Sequence, residues 1–309
     1  MLRYLALRLG RAVLTIALVV TFAFVVLRLS GDPAMTIMSP DAPPAALAAF
    51  RHAWGLDQPI WVQYVRYFGA IVQGQLGQSM RDGRPAITLV AERIPATLAL
   101  TIPALLLKIC LGIPAGIHAA LHRNSLTDRA VMAGAVAGFT VPSFVLGLVL
   151  VLVFAVQLGW LPSGGDDSWR SVILPVITLG LGGAGILARF TRSAMLEVLG
   201  QHYIRAASAK GVPWRLVVRA HALPNAAIPT VTVVGFMVGS LIAGAVVVES
   251  VFSWPGVGRL LVVAVANRDL AVVQCILLLV ASTMVASNLF VDLLYGLLDP
   301  RLRSPVGAH

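Results

Sequence analysis

Residues 205–248 read RAASAKGVPWRLVVRAHALPNAAIPTVTVVGFMVGSLIAGAVVV, and the change of character in the middle decides what kind of protein this is. From Ala227 to Val248 no side chain is charged. At 1.5 Å per residue, that run is long enough to cross a hydrocarbon core of roughly 30 Å. Upstream, Arg205, Lys210, Arg215 and Arg219 crowd a stretch that contains no acid. An uncharged span beside a basic segment is the signature of a helix rising from a cytoplasmic loop.

The signature recurs. Apolar runs of spanning or near-spanning length occupy 11–29, 95–120, 131–157, 171–188, 227–248 and 271–297. Of 309 residues, 58% are apolar and 12% charged; soluble domains carry roughly 25% charged residues. Helices are the expected spanning form, since each satisfies its own backbone hydrogen bonds in lipid. The sequence therefore predicts an all-α polytopic membrane protein with six transmembrane helices. With the N-terminus inside, the inner segments hold Arg3, Arg8, Arg11, Arg123, Arg129, Arg189, Arg192, the basic residues of 205–219, Arg301 and Arg303. Only Asp128, Glu197 and Asp299 oppose them, whereas the outer charges balance. The net charge of +10 thus lies on one side and both termini fall in the cytoplasm. Basic residues so dispersed over short loops point away from a nucleic-acid partner.

Four regions follow. Residues 1–29 form a retained N-terminal span, because SGDP rather than a small-x-small cleavage site succeeds the apolar run. Residues 30–94 form an outer (periplasmic) segment with short helices. Residues 95–300 form a five-helix core with a cytoplasmic loop at 189–226, and 301–309 is a cytoplasmic tail. In the outer segment, helices are predicted near 45–54 and from Pro59 to Val72. Trp61, Tyr64, Val65, Phe68, Ile71 and Val72 make an apolar stripe on the second, for packing on the membrane part or for docking a partner. Gly74–Gly83 reads as loop. Gly180, Gly182, Gly183 and Gly185, and the pair Gly235 and Gly239, predict close helix seams, within the chain or against a second subunit. Leu260–Ala266, after Trp254-Pro255-Gly256, is too short to span and predicts an interfacial or re-entrant helix.

Chemistry on this chain is sparse. Cys110 and Cys275 lie inside predicted spans, where no disulfide framework or CxxC site is available. The only two lysines, Lys108 and Lys210, follow no glycine-rich phosphate loop, so the chain has no means of its own to bind and split ATP. No catalytic constellation and no metal site are predicted. His118 and His122 share a helix face without a third ligand, and His52, His202 and His221 stand alone. Three charges sit in or at the spans. Lys108 is mid-span, costing roughly 2.5–3.5 kcal/mol, so it faces protein or water as a path residue or as a structural partner, Asp292 among the candidates. Asp292 reads as an inter-helix structural group. Glu249 lies at the outer end of the fifth span, as an outer gate or as a solvated helix end.

The loop has its own internal logic. Tyr203–Lys210 suits a helix, Gly211 suits the left-handed position that ends one, and Pro213 suits the start of another. Pro224 closes it. The result is two short helices joined by a glycine turn. Ala206 and Ala207, flanked by Arg205 and Lys210, make a surface small enough to be gripped by another protein, the alternative being an ordinary solvated basic loop.

Arg205-Ala206-Ala207, three residues, Gly211, nine residues and His221-Ala222-Leu223-Pro224 resemble the EAA loop of bacterial ABC importer permeases. In that loop EAA, three residues, G, nine residues and IxLP follow one another. Arg205 replaces its Glu and His221 its Ile. YIRAASAKG with HALPNAAIP is similar to the version in dipeptide, oligopeptide and nickel permeases. RYLALRLGR and SGDP, GLDQPIWVQYVRY, GQLGQS, ERIPATLAL, TVPSFVLG, VVVESVFSWPGVGRL and VDLLYGLLDPR extend the resemblance to the B-type subunit along almost the whole chain. Gln75 departs from the Asp common there.

The resemblance implies a type I importer half-permease of the bacterial inner membrane, pairing with a homologous C-type permease. Two cytoplasmic ATPases would hold ATP and Mg, and an extracytoplasmic binding protein would deliver substrate. Arg205, Ala206, Ala207, Lys210, Gly211, Leu223 and Pro224 would then form the ATPase-coupling loop. The expected cargo is a di- or oligopeptide, with nickel or glutathione as alternatives on the same scaffold. A self-sufficient secondary transporter or channel is the rival of another class. It predicts inverted repeats and acidic relays that this sequence does not display.

Overall fold

The computed structural model describes residues 2–29, 31–38 and 42–298, with backbone alone for 2–7, 9 and 291–298. Among these the regular elements are helices, joined by turns and loops, and one isolated bridge pairs Gln78 with Pro85. Five helices are long and apolar enough to cross a membrane, and a sixth span is broken into two pieces bent by 99°. The chain divides into two compact units, Met1–Thr97 with Pro255–Thr283 and Leu98–Trp254 with Met284–His309.

In the first unit, α1 (Leu2–Leu29) and α2 (Pro33–Ile37) are followed by α3 (Pro44–Ala53) and α4 (Ile60–Val72). Asp32 caps α2, accepting from the Ala34 N–H at 2.9 Å, and takes the Arg51 Nε of α3 at 2.7 Å. Part of the α4 stripe packs on the spanning helix α1, the first of its two expected uses. Phe24 of α1, fully buried, meets Tyr64 edge-on at 5.4 Å and stacks on Tyr67 at 5.8 Å. Burial there pushes the Tyr67 phenol above its ordinary pKa. Trp61, Val65 and Val72 line an adjoining strip of the helix and stay exposed.

From Ala86 the chain enters α5 (Ala86–Leu121), 36 residues that extend the predicted second span outward. Before it, Ser79 is fully buried and its hydroxyl donates to the Asp269 carboxylate, tying the 74–83 turn to the start of the last helix. The predicted short helix is α13 (Val257–Ala266), whose first N–H donates to the Thr97 hydroxyl at 2.8 Å.

The second unit is built around α8 (Ile173–Leu199), which continues eleven residues past the predicted span end at 188. Its glycines serve two neighbours. A Cβ on Gly183 would lie 2.6 Å from the Lys108 chain, and one on Gly112 of α5 would lie 2.8 Å from Ala184 O. On another face, a Cβ on Gly185 would stand 2.6 Å from Ala135 O of α6 (Leu126–Thr140). The predicted glycine seams thus lie within this chain. In lipid, where apolar burial drives no association, such backbone approach is what holds helices together.

The predicted continuous third span, 131–157, is instead two helices. α6 ends at Thr140, α7 (Ser143–Leu150) begins afresh, and a π-helical stretch Val151–Gln157 completes it. Pro142 explains the break: it donates no N–H and holds Val141 extended at φ −73°, ψ 119°. The fifth span is likewise interrupted, as α11 (Leu223–Gly239) and α12 (Val246–Val251) around a 3-10 turn at Ala243–Ala245. Gly235 and Gly239 face α14 (Leu270–Leu298): Ser287 donates to Gly235 O at 2.8 Å and would meet a Gly239 Cβ at 3.0 Å. At the outer end, Leu174, Val248 and Phe252 form a core, with Gly164 against the Phe252 carbonyl.

Gly185→Val should therefore cost about 1–3 kcal/mol through overpacking against the Ala135 backbone. Gly134→Ala, whose Cβ meets nothing within 4 Å, should cost nothing. Thermal unfolding of both variants in detergent checks the contrast.

Candidate functional site: the glycine-jointed double helix

α8 ends at Leu199 and Gly200, and the extended Gln201 (φ −73°, ψ 151°) starts α9 (His202–Ala209). Gly211 adopts φ +77°, and Val212 N–H reaches back to Ala207 O at 3.3 Å, closing the helix as a glycine C-terminus does. Pro213 then caps α10 (Trp214–Leu216). The glycine-jointed pair predicted from the sequence is present.

One boundary differs. Pro224 does not close the second helix; the chain passes through a π-helical stretch, Val217–Ala222, straight into α11. A proline deprives the residue four places back of its donor and crowds its carbonyl. A widened turn just ahead of Leu223 and Pro224 absorbs that conflict without ending the helix.

The double helix is anchored from beneath. Ile204, Val217, Val218 and Ala222 pack with Ala120 of α5, Ala194 and Met195 of α8, and Ala226 of α11. Each fully buried larger side chain contributes about 1.5–3 kcal/mol. Anchoring sorts the predicted site residues. Arg205, Ala206, Lys210, Gly211 and Pro224 are exposed, whereas Ala207 and Leu223 are half-buried and lean on the cluster. Of the two alanines, Ala206 alone offers a bare surface. Tyr203, Trp214 and Leu216 are also exposed beside the basic residues, a feature that motif spacing does not announce.

The other predicted residues do not join this surface. Lys108 lies along the α5–α8 seam over Gly183 and has no hydrogen-bond or ion-pair partner among the described residues. Glu249 is 0% exposed in α12, so the solvated-end reading gives way to a buried carboxyl. The Asp292 side chain lies outside the described residues, as does the tail 301–309. His118 and His122 do share a face, with ring centroids 4.2 Å apart.

The structure adds a group that sequence reading counts only as two separate inner charges. Arg192 of α8 grips Asp128 of α6 with both arms, Nε to Oδ1 at 2.6 Å and Nη2 to Oδ2 at 2.7 Å. Asp128 is 3% exposed and also accepts the Asn124 N–H at 2.9 Å. A signal for it exists: Ser125 three residues before an acid, at the start of an apolar helix, is a helix N-terminus that orients that acid.

The described residues form a polytopic helical membrane protein that carries a glycine-jointed pair of helices between two of its spans. The family model for the binding-protein-dependent transport system inner membrane component matches residues 112–304, and the model for the N-terminal part of such components matches 1–101. The "Glutathione transport system permease protein GsiC" of Salmonella paratyphi A (strain ATCC 9150 / SARB42) is 44% identical over 304 residues, covering 98% of this chain and 99% of its own. Its namesake in Escherichia coli (strain K12) aligns to the same extent, with the same identity. The crystal structure of an amino acid ABC transporter with histidines shares the fold at a TM-score of 0.50 and 18% identity, over 70% of this chain and 94% of that one. The chain belongs to the binding-protein-dependent transport system inner membrane components: it is a permease subunit of an ABC importer, with type I architecture, spanning the bacterial inner membrane several times.

At Gly211 the surroundings are empty, so only backbone strain opposes a side chain. Gly211→Val should destabilise by about 1–2 kcal/mol and Gly211→Asn by clearly less, since Asn tolerates the left-handed region. Melting temperatures of the purified variants will rank them.

Proposed function

We propose that residues 205–224 are the surface through which partner ATPases drive this permease, and that the chain forms half of a translocation path with a second, homologous permease. ATP and Mg belong to two ATPase subunits beneath, and an extracytoplasmic binding protein hands over substrate from above. One observation carries the reading. Ala206 is bare and exposed between Arg205 and Lys210, on a double helix whose inner face is fastened to the ends of α5, α8 and α11. A push on such a surface moves three helices together, whereas a solvated loop would yield.

The relatives named for glutathione transport support a short peptide as the cargo. Glutathione is a tripeptide, so a short peptide, glutathione included, unites that name with the resemblance of the loop to peptide permeases. Lys108 serves as a path residue in this reading and Glu249 as part of the outer gate; both residues belong to the second unit.

Ala206→Asp tests the coupling surface without touching the cluster below. In vesicles holding both permeases, both ATPases and the binding protein, it should cut ATP-dependent glutathione uptake by more than tenfold while the permease pair still assembles. Wild-type uptake by this variant would sink the coupling assignment. Uptake driven by an ion gradient without ATPases would point to a secondary transporter instead.

A further inference from the structure

We infer that the Asp128–Arg192 ion pair is a positioning device for transport, making the cytoplasmic end of α6 travel with α8; the inference rests on the coupling role proposed for residues 205–224. Three observations converge on it. The first is how α6 meets its neighbours. Its backbone touches α8 at a glycine crossing, where a Cβ on Gly182 would lie 3.2 Å from Gly138 O and one on Gly185 2.6 Å from Ala135 O. An apolar cleft of about 450 Å³ runs alongside that crossing, lined by Ala115 of α5, Val131, Ala135 and Gly138 of α6, and Gly185 and Ala188 of α8 among others. Ala and Gly walls carry no directional bond, so packing there sets how closely α6 and α8 approach but not how the cytoplasmic end of α6 is oriented.

The second observation is what spans the cleft's end. Asp128 sits one turn before Val131 and Arg192 one turn after Ala188, and there the two-armed bond closes. Asp128 is held ready for it by the Ser125 cap and the Asn124 N–H, in a tight turn with Asn124 at φ 65°. Two parallel charge-assisted bonds fix direction as well as distance, which a single lysine contact would not. The pair is buried enough that water competes poorly for it.

The third is where each partner leads. Arg192 lies about two turns before Leu199, beyond which the double helix begins. Asp128 opens α6, whose far end is the 99° break at Val141 and Pro142. A displacement entering α8 from the loop reaches the broken span through this bond. The bond belongs to the class of discrete elements through which small shifts become hinge motions.

Nitroxide labels on Thr127 and Ser208, both exposed, read the tie directly in the full transporter, with Cys110 and Cys275 replaced by alanine. In the wild type the distance between labels should be the same in the nucleotide-free and ATP-trapped states. In Asp128→Asn it should change between those states by roughly one helical turn, about 5 Å. Asp128→Arg combined with Arg192→Asp should restore the fixed distance, and decides the matter alone if the single variant does not assemble. A fixed distance in Asp128→Asn, or a changing one in the exchanged pair, overturns the inference. Ala206→Asp keeps the ion pair. If it takes up glutathione normally, the coupling reading fails, and with it this role for the pair. If it loses uptake while Asp128→Asn keeps a fixed distance, the coupling reading stands and only the tie is refuted.

Discussion

Close backbone approach along α8 is the constraint from which the second unit is built. In lipid, apolar side chains gain nothing by leaving their surroundings, so helices associate where they can touch main chain to main chain. α8 does this on two faces at once, toward α5 at Ala184 and Ala188, which meet Gly112 and Gly116, and toward α6 at Gly182 and Gly185. Each glycine in that set costs helix propensity, about 1 kcal/mol against alanine in water. That cost is offset by van der Waals contact that no larger residue allows.

Where the chain leaves the bilayer, the driving force changes. The double helix is exposed to water, and its hold on the bundle is an ordinary hydrophobic cluster around Met195, Ile204 and Val217. Glycine acts differently there, since Gly211 supplies a turn of φ +77° in open space rather than a close contact. The two regimes meet at the Asp128–Arg192 pair, where charge makes a connection that neither apolar burial nor backbone contact makes at that point. The outer segment adds a third kind of fastening, the buried Ser79 hydroxyl on the Asp269 carboxylate.

Much of this is legible in the sequence, because long uncharged runs, basic loops and glycine spacing are local signals. The run from Ala227, the turn at Gly211 and the helix after Pro59 each announce themselves within a few residues. What escapes reading depends on more than one segment. Pro142 is visible, yet an apolar run across it looks unbroken until the bend is known. Glu249 looks like a solvated end because its burial is contributed by other helices. Tyr67 falls outside the predicted stripe because the face chosen by α4 is set by Phe24. Asp128 and Arg192 are 64 positions apart, and nothing local pairs them.

The glycine-lined flanks of α8 also determine what kind of movement the bundle tolerates. Helices that interlock through large side chains must lift over one another's ridges to shift lengthwise, changing rotamers as they go. Along Gly182 and Gly185 there are no such ridges between α8 and α6, whereas on the α5 side the Lys108 chain lies in the notch left by Gly183. Contact of the first kind resists separation, since it is lost all at once, and a side chain seated in a glycine notch also resists lengthwise sliding.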